Sequence, residues 1–478
     1  MPARLLLTDG WLIPMAPDLP TVIRGDLLVE DGRIVRIGQF GPVADAEVLS
    51  CTGRIVLPGL VDTHRHTWQT SLRAIAADWT LGQYFERMRG RLGDAFQPED
   101  IYAGTHLGLL EALDGGITTL VDWSHNINSP AHADAGWQAL VDSGARAVFA
   151  YGVSNPQATG LDVAPHTRDV ARLRKELAAS DSASALVTLA MAVRGPETST
   201  MQTCAADWAL ARELAVPMTV HVGGGLRGAG GGIRALAEHG LLGPDTTYVH
   251  CNMLGDDELD LIAGSGGRAS VAPEVESNMG HGPAATGRLR ARGIPTGLSV
   301  DVCTNVGGDM FAGMRTALAV QRGQANAEAL ARGETPASVS MTALDALRMA
   351  TVEGAEACGL DDRIGSLVVG KQADVLVLRA TDLNLAPVND PVSAAVLAAH
   401  PGNVEHVFVA GRAVKRDGAL VGQDPAAAVA RAEESRDRLL RRAGVDWYPV
   451  AAPSGSSEGP DPPVYPGSVV SRAARPRR

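Results

Sequence analysis

Lysine is nearly missing from this chain of 478 residues: it occurs only at Lys175, Lys371 and Lys415, so the basic side chains are almost all arginine. Cysteine is sparse as well. Cys51, Cys204, Cys251, Cys303 and Cys358 are an odd, scattered set with no CxxC pair. That excludes a disulfide framework and predicts reduced thiols in a cytoplasmic protein. The opening residues, MPARLLLTDGWLIPM, hold only a short apolar run broken by Thr8 and Asp9, so neither a signal peptide nor a transmembrane span is expected. Surplus positive charge is also lacking. A net charge of −12 gives no electrostatic reason to expect nucleic acid or an anionic membrane as partner.

What is present is an ordinary enzyme composition, 45% hydrophobic and 20% charged, in a chain long enough for a large barrel or two domains. From Leu57 to about Gly359, short apolar runs alternate with helical patterns. The runs are IVLPGLV, ITTLVD, ARAVFAYG, ALVTLAMAV, VPMTVH, TTYVH, RASVA and PTGLSVD. Eight strand–helix repeats predict a parallel (β/α)8 TIM-like barrel, with an open doubly wound sheet as competitor. Residues 1–56 and 364–421 read instead as short strands with DG, EDG, AG and RDG turns. They are expected to pair into one small composite β-sandwich domain flanking a barrel of residues 57–363. Residues 422–478 are expected to form a charged helix and then a Pro/Gly/Ser-rich tail from Tyr448.

The first barrel run stops at Asp62 and then presents His64 and His66, which share one side of an extended backbone. His221 ends the fifth run, His250 the sixth and Asp301 the eighth. In a barrel these strand ends form a single rim, where active sites lie. Four histidines and an aspartate on one rim point to a metal: zinc, with iron(II) or manganese as competitors.

The stretches PGLVDTHRH, MTVH, YVHCN and SVDVCTN, with the later DDRIGSLVVGKQADVLVL, resemble the amidohydrolase superfamily over nearly the whole chain. The likeness is strongest to its cytosine-deaminase-like and triazine-hydrolase-like members. It implies that His64, His66, His221 and Asp301 bind one metal, that Asp301 accepts the proton of the attacking water, and that His250 bonds substrate or water. It also implies a homo-oligomer. Two-metal members commonly use a carboxylated lysine, but the fourth run has none and Lys175 sits mid-helix. One metal is therefore expected.

The pattern breaks at one position. Related deaminases carry a glutamate three residues after the fifth-strand histidine, to move a proton to the substrate's ring nitrogen; here that residue is Gly224. Glu274, Glu276 and His281, after the seventh run, are the replacements offered by loop position, with Glu276 and His281 preferred and a solvated loop as the alternative. Trp68, Trp79 and Trp123 either stack on a planar substrate or pack the core. Asp122 and His125 either orient ligands or lie on a surface loop. Arg194 either binds a substrate acceptor or forms a structural ion pair. The Gly-rich GGGLRGAGGG is read as backbone near the mouth, and His106, His166 and His239 as structural.

The resulting expectation is a metal-dependent hydrolase attacking an sp² carbon of a non-peptide C–N bond, deaminating a small, planar, weakly polar aminoheterocycle or cyclic amidine. Amide hydrolysis or ring-closing dehydration at the same site is the alternative, and a non-catalytic barrel scaffold the other.

Overall fold

The computed structural model describes residues 4–154, 168–178 and 186–445; His166 and the tail from Tyr448 lie outside them. Eight parallel strands follow one another in chain order: Leu60–Arg65, Ile117–Ile127, Arg146–Val153, Val187–Ala192, Met218–Val222, Thr246–His250, Arg268–Val271 and Thr296–Leu298. The last returns to the first through a parallel bridge between Arg65 and Asp301. Two backbone bonds complete that closure, Asp301 N to His64 O at 3.0 Å and His66 N to Asp301 O at 2.8 Å. Asp62, fully buried, reinforces the seam by accepting from Val300 N at 3.1 Å and pairing with Arg65 Nε at 2.8 Å. Every residue of the strand Ile117–Ile127 is buried, as expected of a barrel stave covered by side chains within and helices without.

The run Ile55–Val61, read above as one strand, divides at Gly59. Arg54–Pro58 belongs to an outer sheet, antiparallel to Val375–Arg379, and the barrel begins at Leu60. The physical reason is the direction change at Pro58–Gly59, which apolar patterning alone does not register. The outer sheet is mixed and has nine strands, drawn from both ends of the chain: Arg4–Leu12 pairs with Ile23–Glu30, and Val375–Arg379 with Val404–Val409. The charged helix runs from Pro425 to Ala443 and lies on the helix Pro98–Asp114. Buried Asp100 of that helix accepts from Ser435 Oγ at 2.9 Å and Arg438 Nη2 at 3.1 Å. Among the described residues no helix is long and apolar enough to cross a membrane.

Candidate active site

The rim residues meet because each closes a strand or follows it directly. His64 is the fifth residue of its strand and His66 lies one past the end; their ring centroids are 4.7 Å apart. His64 Nε2 lies 3.2 Å from His221 Nε2. His64 Nε2 and His66 Nε2 each lie 3.4 Å from Asp301 Oδ1. Tetrahedral zinc with bonds of about 2.1 Å sets its ligand atoms about 3.4 Å apart, close to the spacing of the pairs His64–His221, His64–Asp301 and His66–Asp301. His66 Nδ1–H donates to the Trp123 carbonyl at 2.8 Å, which leaves Nε2 with its lone pair facing the cluster. Burial, followed by the neighbouring imidazoles, pushes His66 and His221 well below the usual histidine range, and burial lowers His64. All three are thereby kept neutral, the form that ligates.

Asp301 is buried, yet its pKa is lowered. Burial alone would raise it, and His64, His250 and His66 outweigh that. His250 Nε2 stands 4.0 Å from Asp301 Oδ2, and His250 Nδ1 is 3.1 Å from Glu276 Oε1. Burial acts to lower His250, but Glu276, Asp301 and Glu197 together raise it. Both His250 and Asp301 hold left-handed backbone, with φ of 78° and 63°. Such non-glycine conformations cost about 1–3 kcal/mol each and gather where a side chain must be turned toward a site.

The residues offered in place of the missing glutamate separate. His281 lines the cavity with its ring 4.7 Å from that of His250, and burial lowers its pKa to about 4. Glu276 does not line it. The stretch after the seventh strand is a short helix, Pro273–Met279, and Glu276 turns back to accept from Ala272 N at 2.8 Å while holding His250 from behind. Half-buried Glu274 is also absent from the cavity wall.

Of the three tryptophans, Trp123 faces the cavity with its ring 4.1 Å from that of His221, beside Tyr84 and Phe85, whereas Trp68 and Trp79 pack in a hydrophobic cluster with Phe96 and Met88. Asp122 and His125 are buried rather than on a surface loop. Asp122 bonds Thr67, the residue after His66, and burial raises its pKa to about 7; His125 stacks on His66 at 3.9 Å. Arg194 reaches the wall but is paired with Asp207 at 3.1 Å. His106 stacks on Tyr102 in a helix, and His239 bonds Ala235 O at the surface. Gly223, Gly225 and Gly228 keep a GxGxxG spacing after the fifth strand, but the Gly223 N–H is taken by Glu197 rather than left for a phosphate. Exposed Lys175 sits in the helix Asp169–Ala178, and no lysine lines the cavity.

Arg89 and Glu197 are among the cavity residues that escaped the sequence reading. Arg89, from the segment after the first strand, is buried with Nη1 donating to the His125 carbonyl at 2.8 Å, and no carboxylate forms an ion pair with it among the described residues. Burial lowers its pKa to about 10. Glu197, in the turn after the fourth strand, accepts from Gly223 N at 2.5 Å, and burial raises its pKa to about 7. Glu197 had a legible signal, since it lies just past a strand end on the functional rim. Arg89 had none.

The model of the amidohydrolase family matches residues 55–414. The 5-methylthioadenosine/S-adenosylhomocysteine deaminase of Symbiobacterium thermophilum is 30% identical over 463 residues, covering 92% of this chain and 99% of that protein. The 5'-deoxyadenosine deaminase of Methanothermobacter thermautotrophicus is 29% identical, covering 85% and 93%. Among solved structures, a zinc-bound adenosine deaminase from Xanthomonas campestris superposes with a TM-score of 0.77 at 26% identity, covering 91% of this chain and 98% of that one. A zinc complex of atrazine chlorohydrolase from Arthrobacter aurescens shares the fold at 21% identity and a TM-score of 0.78, covering 90% and 100%. The chain belongs to the amidohydrolase family, and it is a hydrolase of carbon–nitrogen bonds other than peptide bonds.

Proposed function

We propose that this protein deaminates a small aminoheterocycle, with an adenine-type purine or its nucleoside as the first substrate to test. The reading holds one zinc ion per chain on His64, His66, His221 and Asp301. A divalent ion held there supplies a water whose pKa is brought near neutrality. Asp301, ionised through its histidine neighbours, takes a proton from the attacking water and passes it to the leaving amine. His250, fixed by Glu276, hydrogen-bonds the oxygen added to the carbon. Trp123 and His281 wall the cavity beside the reacting carbon.

The observation that carries this reading is the position of Asp301, 3.4 Å from two imidazole nitrogens on one side and 4.0 Å from His250 on the other. The relatives named as deaminases of adenosine derivatives favour the purine. All five thiols are free, four of them buried, in keeping with a cytoplasmic protein. A homo-oligomer is part of the same reading, and sedimentation measures it.

The test is ammonia release by zinc-replete protein against aminopurines, adenine nucleosides, aminopyrimidines and aminotriazines. Release that disappears in Asp301→Ala supports deamination. Silence across the panel, with metal present in the sample, overturns it and favours amide hydrolysis or ring closure.

A further inference from the structure

We infer that Glu197 is the catalytic acid of this site, delivered from the turn after the fourth strand to the place that Gly224 leaves without a carboxylate. The inference rests on the deaminase reading above. Glu197 follows the strand Val187–Ala192 in the sequence RGPE and lines the same cavity as His250, His221 and Asp301. Its Oε1 accepts the N–H of Gly223, the residue before Gly224. The group therefore sits against the backbone next to the position where a glutamate three residues after His221 would be rooted. Arg194, the cation nearest in sequence, is engaged with Asp207, and no ion pair to Glu197 is found among the described residues.

Gly224 confirms the vacancy from its own side. Its backbone lies outside the left-handed region, and a Cβ built on it meets only His281 Cδ2, at 3.7 Å. A side chain can therefore leave the backbone there without a Cβ clash. Chemistry supplies the need for an acid, because adding hydroxide to an amidine carbon leaves negative charge on the ring nitrogen unless a proton arrives with it. Burial favours the neutral carboxyl, raising its pKa to about 7; the Gly223 N–H and His250 oppose this and Glu258 assists it.

The water gives one proton to Asp301 and its oxygen to the amino-bearing carbon, while Glu197 protonates the ring nitrogen. In collapse, Asp301 protonates the amine, the C–N bond breaks, the new hydroxyl returns its proton to Glu197, and a carbonyl and ammonia result.

The experiment compares wild type, Glu197→Gln, Glu197→Ala and the double variant Glu197→Ala/Gly224→Glu, each checked for metal content and thermal midpoint. Ammonia release is followed across pH on whichever panel member wild type deaminates. We expect kcat to fall about a hundredfold or more in Glu197→Gln, with KM changed far less. The wild-type decline as pH rises through about 7 disappears in that variant, and the double variant recovers at least about tenfold over Glu197→Ala. Activity of Glu197→Gln close to wild type overturns the inference, as does loss in Glu197→Ala with neither recovery in the double variant nor a changed pH profile. If wild type deaminates nothing on the panel, the deaminase reading fails by itself. Infrared difference spectra then decide the acid: a protonated carboxyl band at neutral pH that vanishes in Glu197→Gln supports it, and its absence overturns it.

Discussion

Glu276 holds His250 from behind: its Oε1 is 3.1 Å from His250 Nδ1, so the opposite nitrogen, Nε2, is the one turned to Asp301. The carboxylate is itself fixed by Ala272 N at 2.8 Å and Asn252 Nδ2 at 3.3 Å. His250 is thus oriented by a rigid polar chain, which matters because a ring flip would exchange donor and acceptor at the site.

Removing the charge while keeping the shape tests that link. Glu276→Gln is expected to lower kcat about 10–100-fold with one metal still bound per chain. Steady-state kinetics with metal analysis checks it, and unchanged kcat would mean that His250 needs no orientation from Glu276.

Metal removal has a sharper expected outcome. Chelation abolishes turnover and zinc restores it, whereas His221→Ala and Asp301→Ala bind less than one ion per chain and stay inactive with added zinc. Turnover by a metal-free sample rules out the role given to His64, His66, His221 and Asp301.

Arg89 predicts a separation of binding from stability. A buried guanidinium without a carboxylate partner is costly to the fold and available to a substrate acceptor. Arg89→Met is expected to raise KM about tenfold while leaving the thermal midpoint unchanged or raised. A lowered midpoint with unchanged KM marks Arg89 as structural, tied to the His125 carbonyl.

Packing behind His66 supplies a fourth case. The helix Pro98–Asp114 presses on the turn Thr67–Leu72 so closely that a Cβ at Gly104 would lie 2.3 Å from the Trp68 carbonyl oxygen. Gly104→Ala should cost about 2 kcal/mol of stability and weaken metal binding, since the displaced turn starts at His66. Denaturant titration and zinc affinity report the two effects; a variant as stable as wild type means the helix can yield.

By itself the sequence determined the barrel and the β character of both chain ends, because apolar period and turn chemistry are local quantities that survive in one dimension; it did not show that those ends form one nine-stranded sheet rather than a sandwich, or that the run Ile55–Val61 is shared between that sheet and the barrel. It also determined the ligand candidates, since His64, His66, His221, His250 and Asp301 each sit at the end of a recognisable strand and a barrel gathers strand ends on one face. The tertiary structure alone decided direction. Glu276 and His281 are five residues apart in one segment, yet one turns behind His250 and the other into the cavity. Glu197 and Gly223 are 26 positions apart in the chain, yet the carboxylate of one bonds the backbone of the other. Pairing of the adjacent fourth and fifth strands brings them together, and no local pattern records which side chain crosses the gap between two neighbouring loops.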